Sequence, residues 1–249
     1  MTKLINTFEP ITLAEMSSVK LMNRTDTKFV TTNTKLQQLL ELALRDYYIQ
    51  EIDGQRNMEY DTTYFDTKDY DMYCQHQWGH TNRQKIRFRT YVSSHLQFME
   101  VKTKNNHGRT KKKRIEVTDM DVNEAEKSAF LSKYLRYGVD TLTPTLNNNF
   151  HRITLVNRGK TERLTIDSQL QFNNLVSGQQ HELKDLVIIE LKRDGLVYSP
   201  ILNMLKQLHI HPHGFSKYVI GSALTNDQLR CNRMKPKMGD IKRIINYKL

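Results

Sequence analysis

Short runs in which charged and apolar residues alternate one for one recur along this chain, and they constrain its fold more than any other feature. In KIRFRTYV, Lys85, Arg87, Arg89 and Tyr91 take turns with Ile86, Phe88, Thr90 and Val92. Successive side chains of a β-strand point to opposite faces, so this spacing gathers the basic groups on one face. FMEVKTK sets Glu100, Lys102 and Lys104 against Met99, Val101 and Thr103, and KKKRIEV sets Lys112, Arg114 and Glu116 against Lys113, Ile115 and Val117. In TERLTID, Thr161, Arg163, Thr165 and Asp167 oppose Leu164 and Ile166; in VIIELKR, Glu190 and Lys192 oppose Ile189 and Leu191.

Strands are expected over 25–31, 47–53, 58–65, 83–93, 96–104, 110–118, 150–157, 161–167 and 186–193. Helical spacing marks 33–46, 122–137 and 199–208, with Asn33 and Asn123 as candidate N-caps. The reading is a strand-dominated α+β chain. At 249 residues, with neither a repeat nor a Ser/Gly/Pro-rich linker, one domain spanning 1–249 is expected.

Two accounts fit the charged faces. An antiparallel sheet can turn its polar face to water. Alternatively, a closed barrel makes the faces converge on a lumen that apolar packing could not fill. The faces are rich in Arg and Lys, and the whole chain carries a formal charge of +11, which favours an anionic partner. Phosphate chains suit such a lumen, because guanidinium groups match phosphate oxygens as bidentate donors while lysines act as point charges. So many cations repel one another unless carboxylates, anions or water intervene, and Glu100, Glu116 and Glu190 are placed to do this. The E-x-K pairs Glu100-Lys102 and Glu190-Lys192 could also hold a hard divalent cation against a phosphate that the lysine binds; singly, each reads equally as a surface ion pair.

Taken in order, NRTDTKF, TTYFDT, KIRFRTY, FMEVKTK, KKKRIEV, HRITLV, ERLTIDSQLQF, VIIELKR and FSKYVIGS resemble the VTC-type polyphosphate polymerase domain, over about residues 20 to 224. That family, named for the vacuolar transporter chaperone complex, belongs to the triphosphate tunnel metalloenzymes related to the CYTH group. The resemblance implies an antiparallel β-barrel tunnel with flanking helices, a divalent metal (Mn²⁺ or Mg²⁺), and transfer of the γ-phosphate of ATP to a growing polyphosphate chain. It implies that Arg87, Arg89, Lys102, Arg152 and Arg163 act on the phosphates and that Glu190 holds the metal. It also implies that Arg24, Lys28, Arg114 with Lys112, and the pair Ser216-Lys217 bind substrate; Lys192 joins them as the partner of Glu190. A triphosphatase on the same scaffold, or a non-catalytic binder of polyphosphate, are the alternatives.

One departure is Gly214, where the polymerases tend to carry a basic residue ahead of FSK. Nucleic acid is not expected as a partner, because Tyr91 is among the few aromatics on the basic faces. His209, His211 and His213 read as a solvated connection rather than a zinc tract. Alternation splits Lys111, Lys112, Lys113 and Arg114 between two faces, against a localisation patch. Within the basic extension 225–249, the tail from Arg230 to Lys248 reads as a solvated helix in preference to a contact with an acidic membrane surface, and Trp78 as packing. Cys74 and Cys231 read as free thiols, and the chain offers neither a signal segment nor about 18 consecutive apolar residues, so a cytoplasmic protein is expected.

Overall fold

A computed structural model of the chain describes residues 2–16, 24–195 and 197–245. Eleven strands are present among them: β1 Pro10–Ile11, β2 Arg24–Thr32, β3 Tyr47–Gln50, β4 Met58–Thr67, β5 Arg83–Tyr91, β6 Leu96–Lys104, β7 Thr110–Val117, β8 Leu142–Asn157, β9 Glu162–Asn174, β10 Gln180–Leu183 and β11 Leu186–Asp194. The helices are α1 Thr2–Ile5, α2 Leu13–Met16, α3 Asn33–Ala43, α4 Asp71–Gln77, α5 Ala125–Tyr134, α6 Pro200–Gln207, α7 Lys217–Thr225 and α8 Lys235–Ile245. This is the expected α+β class.

The main ladder runs β2-β11-β9-β8-β4-β5-β6-β7, antiparallel throughout. Its edge strands β2 and β7 do not pair with each other among the described residues, so the hydrogen-bonded sheet is not closed. It is nonetheless strongly curled. Lys102 of β6 interacts electrostatically with Lys28 and Asp26 of β2 and with Glu190 of β11, although those strands lie near opposite ends of the ladder.

The apolar members of each alternation pack outward under helices. Leu36, Leu39, Leu40 and Ala43 form the buried stripe of α3 and meet Phe29, Ile153, Leu155, Leu164, Ile166, Ile189 and Leu191, with Ile201 and Leu205 of α6. Ile86, Phe88, Met99 and Val101 are covered by Leu131 of α5 and by Leu135. Burying one such side chain contributes about 1.5–3 kcal/mol, so these seams hold the register that aims every charged face inward.

A third cluster lies on the concave side. Val30, Tyr60, Tyr64, Leu146, Phe150 and Ile188 pack against Tyr218, Val219 and Ile220 of α7 and Ile241 and Ile245 of α8. The basic extension is therefore not a solvated helix: α8 buries its apolar stripe and belongs to the same body. Gly221 allows α7 to sit this close, because a Cβ there would meet Phe172 Cδ1 at 2.4 Å and Leu146 Cδ2 at 2.8 Å. Gly221→Ala is expected to destabilise the protein by about 1–3 kcal/mol through overpacking. In a thermal melt that lowers the midpoint by about 2–4 °C per kcal/mol.

Local details differ from expectation for physical reasons. Thr32, not Asn33, caps α3: its Oγ1 accepts from Lys35 N–H, while Asn33 N–H donates to Asp185. Asn123 likewise does not cap α5, whose N-cap is Glu124. β8 starts at Leu142, well before residue 150, through a segment holding Pro144 and three asparagines. Pro144 sits where the β4 register shifts between Tyr64 and Phe65, a bulge that needs no proline N–H. The asparagines bond sideways, Asn147 to Asp61 and Asn149 to Glu59, so they stabilise the ladder instead of turning the chain. β9 also runs past 167 to Asn174, with Gln169 left-handed at φ 54° where the β8–β9 register shifts.

Candidate functional site: a curled basic face

Ladder register places the charged residues of seven strands on the concave face. Three buried or half-buried carboxylates organise it, and each holds two cations. Glu190 on β11 lies directly opposite Lys28 on β2. Lys28 Nζ donates to its Oε1 at 2.6 Å, and Lys192, two residues along β11, donates to its Oε2. On β6, Glu100 is opposite both Arg87 of β5 and Arg114 of β7. Arg87 Nε donates to it at 2.6 Å and Lys112 Nζ at 2.8 Å. On β9, Asp167 accepts Arg152 bidentately, Nε at 2.6 Å and an η nitrogen at 2.8 Å, and also accepts Lys217 from the first turn of α7.

Each group carries one more positive than negative charge, so pairing organises the cations without cancelling them. Arg89 is buried, donates to Thr62 Oγ1 at 3.1 Å, and lies 5.3 and 5.5 Å from the Tyr60 and Phe150 ring centres. Arg152 stacks on the same two rings, Lys217 Nζ is 4.1 Å from the Phe150 centre, and Arg114 lies 4.5 Å from that of Phe98. The rings turn weakly hydrated guanidinium groups toward the interior and fix their planes.

The electrostatics follow from burial and charge. Burial would raise the Glu190 carboxyl, but Lys192 and Lys28 outweigh it and hold the group well below the usual carboxylate range. Burial is likewise overcome at Asp167 by Arg152 and Lys217, and at Glu100 by Arg87, Arg89 and Lys112. Three of the cations are lowered as well, which for them disfavours the charged form, whereas Arg87 and Arg152 are raised by Glu100 and Asp167 against the effect of burial. Burial brings Lys192 to about 8 against the pull of Glu190, and Lys217 to about 8, where Asp167 opposes the shift and Arg152 adds to it. Burial and the neighbouring Arg87 and Arg152 bring Arg89 to about 10. The face thus holds more cationic groups than its own carboxylates can stabilise, a condition that a polyanion relieves.

Arg87, Arg89, Lys102, Lys112, Arg114, Arg152, Glu190, Lys192, Lys28 and Lys217 are brought together on this face. Arg163 lies opposite Lys192 on β9, and Ser216 is the N-cap of α7, its Oγ accepting from Val219 N–H. Arg24 opens β2 opposite Asp194, and its side chain is outside the described residues. Lys113 turns the other way, to within 5.5 Å of the Tyr134 ring centre on α5, as alternation requires.

For a divalent cation, no group of three or more His, Cys, Asp or Glu converges among the described residues, and this includes the His209-His211-His213 tract. His213 instead donates its backbone N–H to Lys28 O. Glu190, already bonded to Lys28 and Lys192, lies among the lysines, with Asp26 on the same face of β2, opposite Lys192. One or two carboxylates completed by phosphate oxygens suffice for Mg²⁺-type binding, so the donor set fits a metal shared with substrate.

Sequence reading passed over three parts of the site. Asp167 was on the charged face by parity but had no visible partner, because Lys217 reaches it from a helix fifty residues away in sequence. Tyr60, Tyr64, Phe98 and Phe150 share the concave face, yet alternation of charge does not mark them. Beside Gly214, where the sequence lacks a cation, Lys237 Nζ of α8 stands 3.9 Å from the position a Cβ would take.

Comparison with known proteins agrees with this architecture. The fold resembles that of a proposed adenylate cyclase from Bacillus halodurans, with TM-score 0.51 and 14% identity over 78% of this chain and 96% of that one. An adenylyl cyclase candidate from Hippeastrum with a dominant triphosphatase activity aligns at TM-score 0.49 and 12% identity, over 82% of this chain and 97% of that one. A search of curated protein sequences found no match. The family model described as VTC domain matches residues 23–226, which spans every strand from β2 onward and helix α7. The chain therefore belongs to the VTC-domain family.

Proposed function

We propose that this chain is a metal-dependent polyphosphate polymerase that transfers the γ-phosphate of ATP to a growing polyphosphate chain along the concave face. The observation that carries the reading is the set of three carboxylate-anchored cation pairs, at Glu190, Glu100 and Asp167, turned onto one curled face. Membership of the VTC-domain family supports it.

Phosphoryl transfer needs alignment and charge neutralisation more than a protein nucleophile. Arg87, Arg89, Lys102, Arg114, Arg152 and Arg163 grip the phosphates of nucleotide and acceptor, holding attacking and leaving oxygens in line. Lys28 and Lys217 close the ring of charge, while Arg24, Lys112, Lys192 and Ser216 bind along the chain. Glu190 would hold a divalent metal, which would stabilise further the charge on the transferred group. No helix among the described residues is long and apolar enough to cross a membrane. The cytoplasm is the proposed location.

The test is incubation of the pure protein with ATP and Mn²⁺. Long polyphosphate with ADP is the expected product. Inorganic phosphate without polyphosphate would overturn polymerisation and assign the site to triphosphate hydrolysis, with water as acceptor.

A further inference from the structure

Strand β5 carries one more cation on the concave face than the mechanism above uses. Lys85 stands opposite Lys102 in the β5–β6 ladder, two residues before Arg87. Its Nζ donates to Ser216 Oγ at 2.8 Å. That oxygen also accepts from Val219 N–H at 3.3 Å as the cap of α7. Having accepted twice, the Ser216 hydroxyl keeps its own proton to donate.

The charged groups that act most strongly on Lys85 are Lys102 from β6, Arg83 and Arg87 from its own strand and Lys28 from β2, while His76 of α4 also interacts with it. None is acidic. Lys28 is paired with Glu190, whereas neither Lys85 nor Lys102 forms an ion pair with a carboxylate among the described residues. Burial, followed by repulsion from Lys102, Arg83, Lys28 and Arg87, pulls the Lys85 amine well below the ordinary lysine value. The geometry is that of a ligand shell lacking its anion: two amines and a hydroxyl donor, converging where each would otherwise repel or go unused.

We propose that Lys85, Lys102 and Ser216 form a phosphate subsite in which Lys85 gains a proton as the anion enters. The inference rests on the phosphate-binding reading above and adds a residue and a proton to it. On the empty concave face, burial and the surrounding cations disfavour the charged form of the Lys85 amine, whose N–H bonds to Ser216. When a phosphate oxygen arrives, the Nζ lone pair accepts a proton from solvent, an N–H bond forms, and the buffer is left one proton poorer. Ser216 Oγ–H donates to the same phosphate. This lets the empty face avoid one buried charge and restore it only with its counterion, which limits self-repulsion in the empty state.

The measurement is calorimetric titration of metal-free protein with inorganic tripolyphosphate at about pH 8.5, in two buffers of different ionisation enthalpy, on wild type, Lys85→Arg and Lys85→Met. Wild type is expected to bind with net proton uptake. Lys192 and Lys217, both brought to about 8, contribute a share common to all three proteins, so the variants are read as differences from wild type. Lys85→Arg keeps a permanent charge, so its affinity is expected within about threefold of wild type while uptake falls by most of one proton. Lys85→Met is expected to lose both that uptake and about tenfold or more in affinity. Thermal melts check that each variant is folded, and Lys85→Arg alone decides the proton assignment if Lys85→Met is not.

Unchanged uptake in Lys85→Arg, or wild-type affinity in folded Lys85→Met, would overturn the subsite and assign Lys85 to capping α7 only. Failure of the wild-type protein to bind tripolyphosphate would overturn the phosphate reading itself, and this subsite with it.

Discussion

Glu190→Gln is expected to lower Mn²⁺-dependent turnover about a hundredfold or more while leaving metal-free binding of tripolyphosphate intact or slightly tighter. The amide keeps the volume and the Nζ–H···O bond from one lysine, so the β2–β11 ladder has no reason to rearrange. What it removes is the negative charge. A hard cation then loses its protein carboxylate, whereas a phosphate chain gains, because Lys28 and Lys192 no longer share their charge with Glu190. Activity assays and calorimetry, each with and without metal, separate the two effects. Turnover that survives the substitution would remove Glu190 from the metal site; binding that collapses without metal would show that Glu190 chiefly positions its lysines.

Asp167→Asn is expected to have the largest effect on stability. Asp167 is buried between Arg152 and Lys217, and no second carboxylate forms an ion pair with either among the described residues. Breaking a buried pair by removing one partner costs about 3–5 kcal/mol, because the remaining charge is left uncompensated in a low-dielectric setting. For a chain of this length that corresponds to a fall of roughly 10 °C in melting temperature. Tripolyphosphate should raise the variant's melting temperature more than the wild type's, since a bound anion replaces the missing carboxylate and binding to the native state stabilises it by mass action. Equal shifts in the two proteins would mean that Arg152 and Lys217 are structural props outside the phosphate path.

Much of the site was legible one residue at a time because strand parity is a local property. The period of two in KIRFRTYV, FMEVKTK, KKKRIEV, TERLTID and VIIELKR is enough to say which side chains share a face, and the ladder pairs them accordingly. The same logic misreads segments stabilised by side-chain bonds. The strand expected from residue 150 in fact takes in LTPTLNNN, because the proline falls at a bulge and the asparagines bond to the neighbouring strand. The extension after residue 225 looked solvated because lysines and arginines dominate it. Met234, Ile241 and Ile245, spaced for one helical face, are buried against the concave-side cluster.

By itself, then, the sequence determined that several strands carry one basic and one apolar face, and that single carboxylates are interspersed among the cations. Alternation cannot specify how far a sheet curls, since that depends on twist accumulated over eight strands and on the helices seated against them. Only the tertiary structure decided that Lys102 approaches Glu190 and Lys28, that α7 delivers Lys217 to Asp167 and Ser216 to Lys85, and that α8 brings Lys237 beside Gly214. These contacts join residues tens to well over a hundred positions apart, where no local period can register them. They form because burying the aromatic side of α7 and the apolar stripe of α8 draws their polar residues to the same concave face as the strand cations.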